Sequence, residues 1–184
     1  MMRLLMWNVI SVDGKFEGPS KWDLKFHQTI LDDEFERFAL DQLRSASCLM
    51  FGGTTYDGMA AYWPTATGEV AAWMNRLKKY VFTSRAAVPA WPNASIVHGD
   101  AVEGIRRLKR DGSGDGYIFG SARLSAPLLD AGLFDELRLL VAPVVLGAGT
   151  PMFAGGAGVR RLHLAEAKPL ASGGTILRYH PHTG

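Results

Sequence analysis

Apolar residues run almost unbroken through 3–12 and stop at the turn pair Asp13-Gly14, which predicts a buried strand. A polar loop follows through Gly18-Pro19-Ser20. Between 32 and 45, Phe35, Phe38, Ala39 and Leu43 recur at helical spacing. The apolar run 48–51 is a short strand closed by Gly52-Gly53, and Thr54 or Thr55 is expected to cap a short helix reaching Met59. The alternation continues with a helix at 71–77, strands at 80–83 and 95–97, and a helix marked by Val102, Ile105 and Leu108. A strand at 117–119 ends at Gly120, and Ser121 is expected to cap the helix running on to 131. The apolar stretch 137–145 carries Pro143, which predicts an edge position or a bend. Segments 162–170 and 175–180, joined by Ser172-Gly173-Gly174, read as a hairpin.

Strands alternating with helices predict an α/β fold: three layers, a mostly parallel central sheet flanked by helices, and an antiparallel C-terminal hairpin. No repeat, low-complexity tract or long linker interrupts the 184 residues, so residues 1–184 are expected to form a single domain. On such a sheet, ligands bind beyond the carboxyl ends of the strands. The residues just after each strand are therefore the ones to read for chemistry.

Composition narrows the function classes. A hydrophobic fraction of 47% and a charged fraction of 21% are ordinary for a globular chain. The one cysteine, Cys48, sits in an apolar run and reads as a buried structural thiol, which suits a reducing, cytoplasmic compartment. Net charge is +2, and the cluster Arg106, Arg107, Lys109 and Arg110 ends a helix without interleaved aromatics, so no nucleic-acid partner is expected. The N-terminal apolar stretch is too short to span a membrane. The five histidines show no metal-ligand spacing, and His180-Pro181-His182 reads as a frayed tail. The acids Asp32, Asp33 and Glu36 read as partners of a helix dipole, and Trp22, Trp63 and Trp91 as loop residues.

Three strand ends carry the informative residues. In Phe51-Gly52-Gly53-Thr54-Thr55-Tyr56, the glycines allow close backbone approach and the following helix offers free N–H groups to an anion. Phe119-Gly120-Ser121-Ala122-Arg123-Leu124 repeats that design, and two anion sites on one sheet suit a pyrophosphate. At the third, Thr83-Ser84-Arg85 offers hydroxyls and a guanidinium for a phosphomonoester such as the 2′-phosphate of NADPH. Each also reads as an ordinary turn, cap or exposed loop. Neither glycine turn has the spacing of a Rossmann fingerprint or a Walker lysine.

These residues, in the order Ser11-Val12-Asp13-Gly14, Gly52-Gly53-Thr54-Thr55-Tyr56 with Tyr62-Trp63-Pro64, then Gly120-Ser121-Ala122-Arg123-Leu124, resemble the dihydrofolate-reductase-like family. Asp135-Glu136-Leu137 followed by Pro143-Val144-Val145-Leu146-Gly147 is similar to the branch containing the C-terminal reductase domain of the bifunctional riboflavin-biosynthesis deaminase/reductase. The resemblance implies NADPH as hydride donor, with its phosphates along the two glycine turns and its nicotinamide near Ser11, Asp13 and Gly14. It also implies a homodimer with the late strands near the interface. Where the family has Gly-Arg-x-Thr-Tyr, this chain has Gly53 in the arginine's place, and Arg85 is expected to compensate. Asp23 and Asp13 are the candidate catalytic acids. The implied activity is hydride transfer to a small heterocyclic or ribosylamino-pyrimidine-like substrate. A nucleotide-binding sensor or structural dimer without turnover, and a groove holding a flavin, stand as alternatives.

Overall fold

A computed structural model describes residues 1–153 and 158–182 of the chain. In chain order the elements are β1 (Arg3–Ser11), β2 (Lys15–Glu17), a 3-10 turn (Lys25–Thr29), α1 (Asp33–Ser45), β3 (Ala46–Gly52), α2 (Gly53–Tyr62), α3 (Glu69–Arg76) and β4 (Lys78–Phe82). There follow β5 (Ala94–Val97), α4 (Ala101–Asp111), β6 (Asp115–Phe119), α5 (Ala122–Asp130), β7 (Glu136–Ala142), β8 (Thr150–Pro151), β9 (Leu162–Pro169) and β10 (Thr175–Pro181). Eight strands form one sheet in the order β5-β4-β3-β6-β1-β7-β10-β9. The first six run parallel, and the hairpin β9–β10 pairs antiparallel to them through β7.

Side-chain alternation along β1 explains the layers. Leu4, Met6 and Ile10 face α4 and α5, packing with Ile105, Leu124 and Leu128. Leu5 and Trp7 face the other way, against Leu43 of α1, Tyr56 of α2 and Met74 of α3. A strand covered on both faces must be apolar on both, which is why 3–12 reads as a continuous run rather than an alternation. At the amino ends of the strands, Glu136 lies fully buried among three guanidiniums. Its carboxylate accepts from Arg138 Nε at 2.7 Å, Arg178 Nε at 2.7 Å and Arg3 Nη2 at 2.7 Å. Burial pushes that carboxyl up, but the hydrogen bonds and charges of Arg138 and Arg178 outweigh it and hold it down at about 2.

Several local expectations are corrected. Neither Thr54 nor Thr55 caps α2, which starts at Gly53 with Gly52 as its cap residue and no side-chain cap bond. Ser121 precedes α5 but makes no cap bond, because its backbone is left-handed (φ 58°) and its hydroxyl is used elsewhere. Of the two places expected for Pro143, the structure has the bend and not the edge: it falls just beyond β7, an interior strand, so its missing N–H costs the ladder nothing. His180 is part of β10, opposite His163, and its Nδ1 lies 3.1 Å from Asp135 O; it is not a frayed tail. Outside the main sheet, β2 and β8 form a two-stranded antiparallel ladder that no sequence pattern signals.

Candidate active site

Because β1, β3, β4 and β6 are parallel, their carboxyl ends open on the same side of the sheet. A groove of about 1660 Å³ runs across them. All three turns singled out by sequence, 52–55, 83–85 and 120–124, line it. Ser11, Asp13, Gly14 and Asp23 are not among its lining residues.

The two glycine turns are joined to one another. Ser121 Oγ accepts the Gly52 amide at 3.0 Å, and Asn8 Oδ1 of β1 accepts the Gly120 amide at 2.6 Å. Gly120 and Ser121 are both left-handed, with φ of 57° and 58°. For serine that conformation costs on the order of 1 kcal/mol, and the bond to Gly52 offsets it. Three strands are thereby pinned together where β3 and β6 end: β1 through Asn8, β3 through Gly52 and β6 through Gly120.

Arg85, just past β4, folds back over the first residue of α2. It donates to Asp57 Oδ1 at 2.9 Å and Oδ2 at 3.0 Å, and to Gly53 O at 3.1 Å. A Cβ at residue 53 would stand 3.0 Å from Arg85 Nη2 and 3.0 Å from Thr83 Oγ1, so glycine there makes the room that the guanidinium fills. The bond to Asp57 raises the guanidinium's pKa further.

Asp13 has a different occupation. Its carboxylate accepts from the Ser11 hydroxyl at 2.7 Å and from the Leu146 and Gly147 amides, each at 3.0 Å. The Ser11 hydroxyl, then the amides, hold its carboxyl down at about 2. Gly14 (φ 77°) completes that turn, and its carbonyl accepts the Met152 amide at 2.9 Å. Ser11, Asp13 and Gly14 thus tie the loop after β1 to the loop after β7. Asp23 sits in the loop before the 3-10 turn, where a Cβ on Gly18 would meet its Oδ2 at 2.5 Å.

The far part of the groove lies where α1 crosses β1. Trp7 meets Phe38 edge-on at 5.6 Å and Phe119 at 4.7 Å. Asp32, Glu36, Ala39 and Leu43 all line the groove, and their i, i+4, i+7, i+11 spacing puts them on one face of α1. Asp32 also caps the helix, accepting the Phe35 amide at 2.8 Å. His27 lines the same region, and burial pushes its imidazole down to about 4. Three buried nitrogens of groove-lining residues have no hydrogen-bond partner among the described residues: Trp7 Nε1, Asn8 Nδ2 and His27 Nε2. Sequence reasoning passed over Trp7, Asn8, His27 and Asp57. For the first two, a polar tip inside an apolar strand was the available signal. Asp57 and His27 carried none, since their surroundings come from distant segments.

Comparison with known proteins agrees with the fold. A Bacillus subtilis relative, the uncharacterized protein YyaP, is 27% identical over 183 residues, covering 97% of this chain and 94% of the relative. The Thermotoga maritima diaminohydroxyphosphoribosylaminopyrimidine deaminase/5-amino-6-(5-phosphoribosylamino)uracil reductase superposes with a TM-score of 0.70 at 14% identity, over 98% of this chain and 57% of that one. Enterococcus faecalis dihydrofolate reductase, solved with NADP(H) and RAB-propyl, superposes with a TM-score of 0.65 at 16% identity, over 98% and 96% of the two chains. With its family model matched over residues 3–176, the chain belongs to the family of the RibD C-terminal domain, on a fold shared with dihydrofolate reductase.

Proposed function

We propose that this protein is an NADPH-dependent reductase of a small heterocyclic or ribosylamino-pyrimidine-like substrate. The observation that carries the reading is the convergence of the three strand-end turns, 52–55, 83–85 and 120–124, on one groove. The reductase named for the Thermotoga relative, and the NADP(H) named with the Enterococcus enzyme, support it.

The residues present fit a phosphorylated dinucleotide. The groove exceeds the usual volume of a single-ligand pocket, roughly 300–1,000 Å³, so cofactor and substrate can lie in it together. Gly52, Gly53 and Gly120 carry no side chain that would hold a phosphate away from the backbone. Turns 52–55 and 120–124 take the pyrophosphate from adjacent strands, and Thr83, Ser84 and Arg85 lie toward the far ribose. When bound, NADPH supplies the hydride.

The protein's own part is to orient, to desolvate and to deliver a proton. Trp7, Phe35 and Trp63 wall the chamber beside α1 and exclude water from it. Glu36, on the groove face of α1, supplies the proton; Asp13 and Asp23 stand outside the lining and serve the loops. The reading also includes a homodimer in a reducing cytoplasm, where Cys48 stays a thiol.

Purified protein incubated with NADPH and a panel of oxidised pterins, aminopyrimidines and ribosylamino-pyrimidines should consume nicotinamide absorbance with at least one of them. Glu36→Gln should cut that turnover tenfold or more while leaving NADPH binding unchanged. Tight NADPH binding with no turnover across the panel would favour a nucleotide sensor instead.

A further inference from the structure

The guanidinium at the outer end of the groove is already engaged. Of the five N–H bonds of Arg85, both on Nη2 are used, by Asp57 Oδ1 at 2.9 Å and Gly53 O at 3.1 Å. One on Nη1 goes to Asp57 Oδ2 at 3.0 Å, and Nε faces Thr83 Oγ1 at 3.4 Å. A single N–H on Nη1 remains. Asp57 therefore covers the forked edge that a phosphate would need for a two-point contact. It also cancels the charge, since one guanidinium and one carboxylate sum to zero. Both side chains are partly exposed, at 44% and 35%, and both line the groove, so the pair faces the ligand.

The sheet order says which part of a ligand meets this pair. A dinucleotide whose pyrophosphate spans the turns after β6 and β3, with its reactive end toward β1, must run outward to β4, the next strand beyond β3. Thr83, Ser84 and Arg85 follow that strand, so the remote ribose falls there. A 2′-hydroxyl needs one donor and one acceptor, which the spare Arg85 N–H and the outer lone pairs of Asp57 supply. From this pair a 2′-phosphate, close to doubly negative, meets one free N–H and a carboxylate.

We propose that Asp57 is a specificity-determining residue: by masking Arg85 it lets the groove accept NADH nearly as well as NADPH. This inference rests on the reading that the groove holds a pyridine dinucleotide. Gly53 is its enabling partner, because a Cβ there would stand 3.0 Å from Arg85 Nη2 and crowd the guanidinium where it reaches Asp57.

The test is equilibrium titration of the purified protein with NADPH and with NADH, followed by quenching of tryptophan fluorescence at low salt. The wild-type dissociation constants should lie within about fivefold of each other, the scale of one partly exposed ion pair. Asp57→Asn should tighten NADPH about tenfold and leave NADH within about twofold, and that gain should fade at about 1 M salt, as screening requires. Asp57→Ser should move the ratio in the same direction. The double variant Asp57→Asn with Arg85→Ala should lose the gain. An unchanged ratio in both Asp57 variants, weaker NADPH binding, or equal movement of both nucleotides would overturn the inference while leaving the dinucleotide site standing. Failure of the wild type to bind either nucleotide would overturn the site itself, and this inference with it.

Discussion

Ser121 Oγ accepts the backbone amide of Gly52 at 3.0 Å, so the turns that end β3 and β6 are held in register by one hydroxyl. The hydroxyl expected to cap α5 instead crosses to the neighbouring strand. Both turns face the same groove, and the bond fixes the spacing between them.

Ser121→Ala leaves the Gly52 amide without its acceptor. Unfolding free energy should fall by about 1 kcal/mol, the net worth of one hydrogen bond whose part-buried donor lines the groove. NADPH should bind several-fold more weakly, because two turns must then be ordered by the ligand. Urea midpoints and a nucleotide titration check both, and a variant matching wild type in both would remove the hydroxyl from its proposed role.

His27 sets an acid limb to stability. Its imidazole sits near pKa 4 in the fold, against an ordinary 6.5, because burial penalises the charged form. The unfolded chain therefore takes up a proton between pH 6.5 and 4 that the folded chain refuses. Stability is full above 6.5 and falls as pH drops toward 4, by up to about 3 kcal/mol. His27→Gln, which cannot titrate, should flatten that limb in urea unfolding measured across the window.

Glu136 acts lower on the scale. Its folded pKa of about 2 lies below its ordinary 4.5, so its contribution is full above 4.5 and is lost as pH falls toward 2. Glu136→Gln at neutral pH leaves Arg3, Arg138 and Arg178 converging on a neutral amide. Destabilisation of about 3 kcal/mol is expected from breaking a buried ion pair on one side. Because the cluster lies at the opposite ends of the strands from the groove, nucleotide affinity of the folded fraction should not change. Loss of affinity at full folding would place the cluster in the site's machinery.

Cys48 is 4% exposed, and burial pushes its thiol up to about 11. A thiol reagent at pH 8 should label it only through unfolding, and saturating nucleotide should slow the labelling. Labelling at the rate of a free thiol would contradict its buried place in β3.

Most of the fold was legible because buried parallel strands and amphipathic helices leave unmistakable apolar patterns. The strands β1, β3 and β6 with their glycine ends, and the hairpin β9–β10, are all visible that way. The ladder of β2 and β8 is not, because elements of three and two residues have no period to read. The left-handed turn at Ser121 was hidden too, since serine before a helix ordinarily signals a cap. The three groove-lining turns could be singled out because glycines, hydroxyls and an arginine follow apolar runs. Asp57 could not, because its partner Arg85 lies 28 residues further along the chain. Asp13 was a candidate through the family resemblance alone, and its bonds to the Leu146 and Gly147 amides, formed across more than 130 residues, leave no local signal.

In the proposed function, turns on neighbouring parallel strands grip one dinucleotide. Titration with NADPH, read by tryptophan quenching in parallel with calorimetry, tests it most directly. One saturable site per chain is predicted, filling well below about 1 mM and weakened by Ser121→Ala. A linear, unsaturable response up to several millimolar, unchanged in that variant, would contradict it.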